Sequence, residues 1–425
     1  MTSSRIQSLQ AIQILDSRGL PTIQVTISVT NPSDPIDNKV YWAKSSVPSG
    51  ASTGTWEALE LRDNDANNYG GKGVSMAINN INTIIAPKLI GNRYDRAMQV
   101  DELMIELDGT PNESKLGANS ILAVSNAVHR AMAKVSKQEL FQYLRSEYFD
   151  QFGEDYQMPR LMSNIINGGA HADSGLDVQE FMVVPNSGDL RTDVKIASEI
   201  YHRLKADLHK AGQITSLGDE GGFAPKLATS VEALDLITRS VQEAGYAKQC
   251  NIALDVASSE LLDSQTQMYR IDGQNLSAGE LVKHYNSLIT KYDIISIEDG
   301  LAEDDIAGWQ IAKRELTADL WQIGDDLFVT NSKRFQELAL GSNVANGILI
   351  KPNQIGTILE TVQVINLALS NNYITAISHR SGETTDTLIS DLAVACNSKF
   401  IKLGAPARGE RVVKYNRLLE IAELI

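Results

Sequence analysis

Ile294-Ile295-Ser296-Ile297-Glu298 is a short apolar run that stops on a carboxylate, and the second half of the chain repeats this form. Ile252 to Asp255, Leu320 to Asp325, Gly347 to Lys351, Ile374 to His379 and Phe400 to Lys402 all run from apolar residues into an ionisable one. Helix-like segments of roughly 12–18 residues follow most of these runs, as βα units require. Repeated βα units build a parallel sheet, and enough of them close into a barrel. The strand C-termini of such a barrel face one mouth, so Asp255, Glu298, Asp325, Lys351, His379 and Lys402 are expected to converge there. Carboxylates gathered in one place repel each other unless a cation sits among them, so the pattern predicts a metal.

At 425 residues the chain is long enough for two domains, and 43% hydrophobic residues suffice for a large core. No apolar run approaches the roughly 20 residues that span a bilayer, so no membrane span is expected. Met1 to Gln10 has neither the basic start nor the apolar block of a signal peptide. Cys250 and Cys396 are the only cysteines, which rules out a disulfide framework and leaves both as small apolar packing groups. These features together favour the cytoplasm as the expected location. A net charge of −15 argues against a nucleic-acid surface. It leaves the sign of a substrate open, because bound cations and a few placed lysines or arginines can invert a local field.

The first 150 residues read differently. Ile23, Val25, Ile27 and Val29 alternate with Gln24, Thr26 and Ser28, the period of a half-buried strand. Residues 31–38, with Pro32 and Pro35, read as a hairpin connection to a second strand near Val40 to Val47. Helices are expected over Val74 to Leu89, Asp95 to Leu107, and Gly117 to Tyr148 as one long element. This is an α+β pattern, set at 1–150, with the barrel at 151–425 and the polar stretch Asp150 to Gln157 between them. Tyr69-Gly70-Gly71-Lys72-Gly73 lacks the preceding strand and lysine spacing of a phosphate loop and reads as a turn before a helix.

Asp255, Glu298 and Asp325 offer hard oxygens that suit Mg²⁺. The plain alternative is that each caps the helix that follows; three at successive strand ends favour the metal. Lys351, at the end of an apolar strand beside cations, reads as a general base, against a structural ion pair. Lys402 reads as an anion ligand or as a repulsive neighbour to Lys351. Glu220, within Gly218-Asp219-Glu220-Gly221-Gly222-Phe223-Ala224-Pro225, sits where glycines let an acid approach a ligand, although such turns are common. His171, Gln179 and Glu180 are ambiguous alone. Ser49-Gly50-Ala51-Ser52-Thr53-Gly54 reads as a lid with glycine hinges or as a surface turn.

Together these segments resemble the enolase family. The resemblance runs through DSRG (16–19), VPSGASTG (47–54), DGTPNESKLGAN (108–119), NIINGGAHAD (164–173), QEFM (179–182) and GDEGGFAP (218–225). It continues through ALDVASSE (253–260), SIED (296–299), GDDLFVTN (324–331), IKPNQIGT (350–357), SHRSGETTDT (378–387) and IKLGAPARGERVVKYNRLL (401–419). It implies an α/β fold, a C-terminal (β/α)8-type barrel of the enolase kind with an N-terminal α+β capping domain that carries the active-site loop. The implied activity is reversible dehydration of 2-phosphoglycerate to phosphoenolpyruvate. Asp255, Glu298 and Asp325 match ligands of a tightly bound Mg²⁺, and Ser52 matches the loop ligand of a second Mg²⁺ that arrives with substrate. Lys351 matches the base at carbon 2 and Glu220 the acid at the carbon 3 hydroxyl, with Glu180 its neighbour. His171, Gln179, Glu180, His379, Arg380, Ser381 and Lys402 match substrate-binding positions, with Arg380 and Ser381 on the phosphate. A homodimer or larger homo-oligomer is implied, as is a secondary cell-surface or secreted pool. Leu20, Lys44, Gly300 and Pro352 depart from the usual pattern, and none is an expected ligand or acid–base residue. A different metal-dependent member of the same superfamily is disfavoured by Arg380, Ser381 and the full-length match. Retention of every expected catalytic residue disfavours a solely binding or structural role.

Overall fold

A computed structural model describes residues 4–31, 39–50, 56–172 and 174–425. Two units are distinguished within it: Met1–Gln157 with Lys351–Leu367 and His379–Asn397, and Met158–Ile350 with Ala368–Ser378 and Ser398–Ile425.

In the first unit, β1 (Ser4–Leu15), β2 (Pro21–Thr30), β3 (Val40–Ser46) and β4 (Arg93–Tyr94) form an antiparallel sheet in the order β3-β2-β1-β4. Ile23, Val25, Ile27 and Val29 all turn to the buried face, as their alternation requires. The connection expected over 31–38 falls largely on 32–38, outside the described residues. Helical structure follows: α1 (Ser75–Asn80), a π-type stretch at Ile81–Ile85, α2 (Ala86–Leu89) and α3 (Met98–Asp108). Residues Tyr69–Gly71 form a 3-10 turn ahead of α1.

The single long helix expected over Gly117 to Tyr148 is instead two, α4 (Ala118–Val135) and α5 (Leu140–Tyr148). Lys137 adopts φ +56°, which stops α4, and Glu139 with Gln142 forms a reciprocal capping box that starts α5. The polar run Ser136-Lys137-Gln138-Glu139 marks the break in the sequence.

In the second unit, β5 (Arg160–Asn167) and β6 (Glu180–Pro185) precede α6 (Leu190–Lys210), α7 (Ser230–Glu243) and β7 (Cys250–Asp255). A small antiparallel sheet of β8 (Leu262–Asp263), β9 (Met268–Ile271) and β10 (Gln274–Leu276) follows. The chain then alternates: α8 (Ala278–Lys291), β11 (Ile294–Glu298), α9 (Ile306–Glu315), β12 (Trp321–Gly324), α10 (Ser332–Phe335) and β13 (Gly347–Ile350). It ends with α11 (Ile358–Ser370), β14 (Ile374–Ser378), α12 (Leu388–Ala395), β15 (Phe400–Lys402) and α13 (Gly409–Ala422). The barrel closes in the order β11-β12-β13-β14-β15-β5-β6-β7. Met162, Met182, Val184, Ala253, Ile323, Leu349, Ala376 and Phe400 are all buried and fill its interior. Truncating Phe400 there to Ala should cost about 3–5 kcal/mol.

The sheet is not uniformly parallel. β6 pairs antiparallel with both β5 and β7. Among the described residues of 168–179, which join β5 to β6, there is no helix beyond the 3-10 turn Gly169–His171, and a parallel return needs a longer crossover. The inversion has a consequence: the first residue of β6, Glu180, lies in register with the last residue of β7, Asp255. Among the described residues no helix is long and apolar enough to cross a membrane.

Candidate active site

Register alone assembles part of the site. Asp255 pairs with Glu180 on one side and with Glu298 on the other, so three carboxylates stand side by side on β6, β7 and β11. The helix caps that follow are other residues: Ser277 for α8, Asp305 for α9 and Asn331 for α10. Capping therefore does not account for Asp255, Glu298 or Asp325.

Lys402 ends β15 and places its ammonium among these acids. Its Nζ lies 2.7 Å from Asp255 Oδ2, 3.0 Å from both Glu298 oxygens and 3.2 Å from Glu180 Oε1. All four side chains are buried. Burial by itself would lower the lysine's pKa, but Asp255, Glu180 and Glu298 hold it well above its ordinary value. One ammonium does not neutralise so many acids. Burial and the neighbouring Glu220 push Glu180 well above the usual carboxylate range despite Lys402.

Glu220 belongs to a loop that the chain can form only with glycine. A Cβ at Gly218 or Gly222 would come within 2.8 or 2.5 Å of the Asn167 side chain. The loop is pinned by Tyr201 Oη donating to Gly221 O and by Ala405 N donating to Glu220 O, both at 2.9 Å. Asn164 Nδ2 donates to Glu220 Oε2 at 3.1 Å. His171 Nδ1 stands 3.5 Å from Glu180 Oε1 and 3.7 Å from Glu220 Oε1. Gln179 Nε2 reaches Asp255 Oδ2 at 3.5 Å. His171, Gln179, Glu180, Glu220, Asp255, Glu298 and Lys402 thus form one connected group in the second unit.

Asp325, the residue after β12, groups with Asp299 and Asp326 closely enough to hold one ion. Asp299 takes φ +41° and accepts the backbone N–H of Asp325 at 2.9 Å and of Asp326 at 2.8 Å. Its burial and the charges of Asp326, Asp325 and Glu298 raise its pKa well above normal. His171, Glu180 and Glu220 are a second grouping with that spacing. The donors at Asp299, Asp325 and Asp326 are all hard oxygens, which suits a divalent cation such as Mg²⁺. Glu180 Oε2 is buried without a hydrogen bond, the condition in which a carboxylate oxygen can accept a ligand.

The remaining candidates lie in the first unit. Lys351 follows β13 directly in the chain, is half-buried, and its carbonyl accepts Gln354 N at 2.9 Å. His379, Arg380 and Ser381 are buried. Arg380 is held by Glu57, and Arg18 Nη1 donates to Ser381 Oγ at 3.3 Å. Ser52 lies outside the described residues. Just before it, Ser49 exchanges backbone hydrogen bonds of 2.7 and 2.9 Å with Gly382, and Arg18 Nη2 donates to Gly50 O at 3.1 Å.

Asp299, Asp326, Asn164 and Glu57 were not singled out by the sequence reading. Asp299 and Asp326 adjoin ligand candidates in the chain, which was a usable signal. Asn164 and Glu57 meet their partners only through the fold.

Comparison with known proteins accounts for both halves of the chain. Residues 6–144 match the model of the enolase N-terminal domain, and residues 155–425 that of the enolase C-terminal TIM barrel domain. Enolases of Helicobacter pylori strains J99 and G27 are each 47% identical over 421 residues, covering 98% of this chain and 95% of theirs. A third, from strain ATCC 700392 / 26695, is 46% identical over the same span. With a barrel of the matching kind and relatives aligned almost end to end, the chain belongs to the enolase family.

Proposed function

We propose that this chain is a phosphopyruvate hydratase, a carbon–oxygen lyase that interconverts 2-phosphoglycerate and phosphoenolpyruvate plus water. The observation that supports the reading is the buried group of Glu180, Glu220, Asp255, Glu298 and Lys402, a concentration of acids of the kind that holds a divalent cation. Asp255, Glu298 and Asp325 would hold one Mg²⁺, and Ser52 would reach a second that enters with substrate. When bound, Mg²⁺ stabilises charge that builds on the substrate carboxylate as its neighbouring carbon loses a proton.

The chain's own residues do the rest. Lys351 Nζ takes the carbon 2 proton, and the electron pair left behind forms the carbon–carbon double bond. Glu220 gives a proton to the carbon 3 hydroxyl, which leaves as water. Asn164 and the pinned glycine loop fix where the Glu220 carboxyl points. Arg380 and Ser381 bind the phosphate, while His171, Gln179, Glu180 and His379 line the substrate. Lys402 keeps Asp255 and Glu298 together by neutralising part of their charge. The same reading carries a division into domains at 1–150 and 151–425, a homodimer or larger homo-oligomer, and a cytoplasmic location with a secondary surface pool.

The test follows enolpyruvate absorbance with and without magnesium, then carbon 2 proton exchange by NMR in deuterated water. Lys351→Ala should lose elimination and exchange alike, by on the order of 10²–10⁴ in rate. Glu220→Gln should block elimination yet permit exchange. Exchange surviving in Lys351→Ala but vanishing in Glu220→Gln would reverse the two roles.

A further inference from the structure

The phosphate ligand Arg380 is set by residues that neither the sequence reading nor the family match assigns. Its guanidinium makes a two-point pair with Glu57: Nη1 to Oε2 at 3.1 Å and Nη2 to Oε1 at 3.2 Å. Both side chains are almost wholly removed from solvent, at 4% and 6% exposure. Such end-on pairing fixes the guanidinium plane as well as its position. Nη1 also donates to Asn353 Oδ1 at 3.2 Å.

Glu57 does more than pair with one arginine. Gln354 Nε2 donates to Glu57 Oε1 at 3.3 Å, and the next residue, Ala58, donates its N–H to Gln354 O at 2.8 Å. Asn353 and Gln354 belong to the turn that begins at Lys351, whose carbonyl accepts Gln354 N. In the chain, Glu57 also comes five residues after Ser52. One carboxylate therefore joins the proposed phosphate ligand to the turn carrying the proposed base, at the end of the segment carrying the loop serine.

We propose that Glu57 is a positioning residue for phosphate binding. It holds the Arg380 guanidinium at a fixed angle and ties that angle to the Lys351 turn. The proposal rests on the reading of Arg380 as the phosphate ligand. Charge and positioning make opposite forecasts here. If Glu57 mattered only by cancelling the arginine's charge, removing its charge would leave Arg380 more attractive to phosphate, and KM would fall. If it matters by orientation, KM rises.

The measurement is kcat and KM for 2-phosphoglycerate, with the inhibition constant of inorganic phosphate, in wild type, Glu57→Gln and Glu57→Asp. Glu57→Gln keeps the shape but loses the two-point charged pair. We expect its KM and phosphate inhibition constant to rise together about tenfold, with kcat changed much less. Glu57→Asp keeps the charge but shortens the reach, and should show a smaller rise in both constants at an unchanged thermal midpoint. It also serves if the Gln variant folds poorly. An active Glu57→Gln or Glu57→Asp enzyme with KM and phosphate inhibition unchanged or tightened overturns the positioning role and leaves the proposed activity standing. A folded wild type that forms no enolpyruvate overturns the activity, and the positioning role with it.

Discussion

Around Lys402, Asp255, Glu298 and Glu180 are buried carboxylates that share one ammonium, whereas Asp101 and Glu113, near the start of α11, are buried with no Lys or Arg at ion-pair distance among the described residues. Asp101 Oδ2 accepts Leu359 N at 3.0 Å, and its other oxygen is buried without a hydrogen bond. Glu113 takes φ +57°, is 4% exposed, and likewise keeps one buried oxygen without a bond. Burial pushes Asp101 up to about 7. Burial, with Glu360 and Asp108 nearby, pushes Glu113 up to about 8. Equal burial thus occurs in two different settings. Around Lys402 the acids share one cation, although Glu180 is still pushed up; at Asp101 and Glu113 burial favours the protonated form, which makes stability depend on pH.

The largest expected effect comes from removing the cation that defines the first set. Lys402→Met leaves its acids buried and uncompensated. Turnover should fall by at least about 10²-fold, and urea unfolding should show a loss of about 3–5 kcal/mol. A Met variant with wild-type stability would mean that the barrel acids do not depend on their cation, and the contrast would disappear. Asp325→Asn is the milder probe of the same set. Its thermal midpoint without metal should match wild type, while the rise produced by added Mg²⁺ should be smaller. An identical rise would remove Asp325 from the ligands.

Much of the barrel set was legible because it sits on strand ends, where an apolar run hands over to one ionisable residue. Asp255, Glu298 and Lys402 needed only that rhythm. Glu180 did not follow from it, since periodicity carries no information about strand direction and β6 is inverted. β1 also escaped: the register shift between Ile6 and Ser8 puts its alternation out of phase with a strict period of two. The acids near α11 were invisible for another reason. Glu113 lies in Pro111-Asn112-Glu113-Ser114, which reads as a solvated turn, and only the packed fold buries it. Its side chain lies against Gly356, where a Cβ would come within 3.1 Å of Glu113 Cγ.

That burial has a measurable sign. Between pH 4.5 and about 8 the unfolded chain has released the Glu113 proton while the folded chain retains it. Stability from this group is therefore full at low pH and is lost as pH rises toward 8. Glu113→Gln is uncharged throughout, so it should match wild type near pH 5 and exceed it near pH 8.5 by about 1–3 kcal/mol. Urea unfolding at the two pH values decides it. A variant weaker than wild type at pH 8.5 would show that the ionised carboxylate is stabilised after all.

The smallest effect is a slope, and it comes from a neutral neighbour. His129 Nε2 lies 4.0 Å from Asp101 Oδ2, with Nδ1 2.8 Å from Ser125 O and Nε2 2.7 Å from Tyr148 Oη. Burial lowers His129 to about 4, the opposite of what it does to Asp101. Near pH 5.5 the folded chain keeps a proton on Asp101 and none on His129, whereas the unfolded chain does the reverse. The two proton counts cancel. His129 gains stability as pH rises from about 4 to 6.5, Asp101 loses it over the same window, and their sum should be nearly flat. Asp101→Asn keeps an acceptor for Leu359 N but removes one half of the cancellation. Its stability relative to wild type should climb with pH across that window by up to about 1.4 kcal/mol per unit. A difference that stays constant from pH 4.5 to 6.5 would mean that Asp101 is already ionised when buried, and that lacking a lysine does not suffice to keep a proton on a carboxylate in this fold.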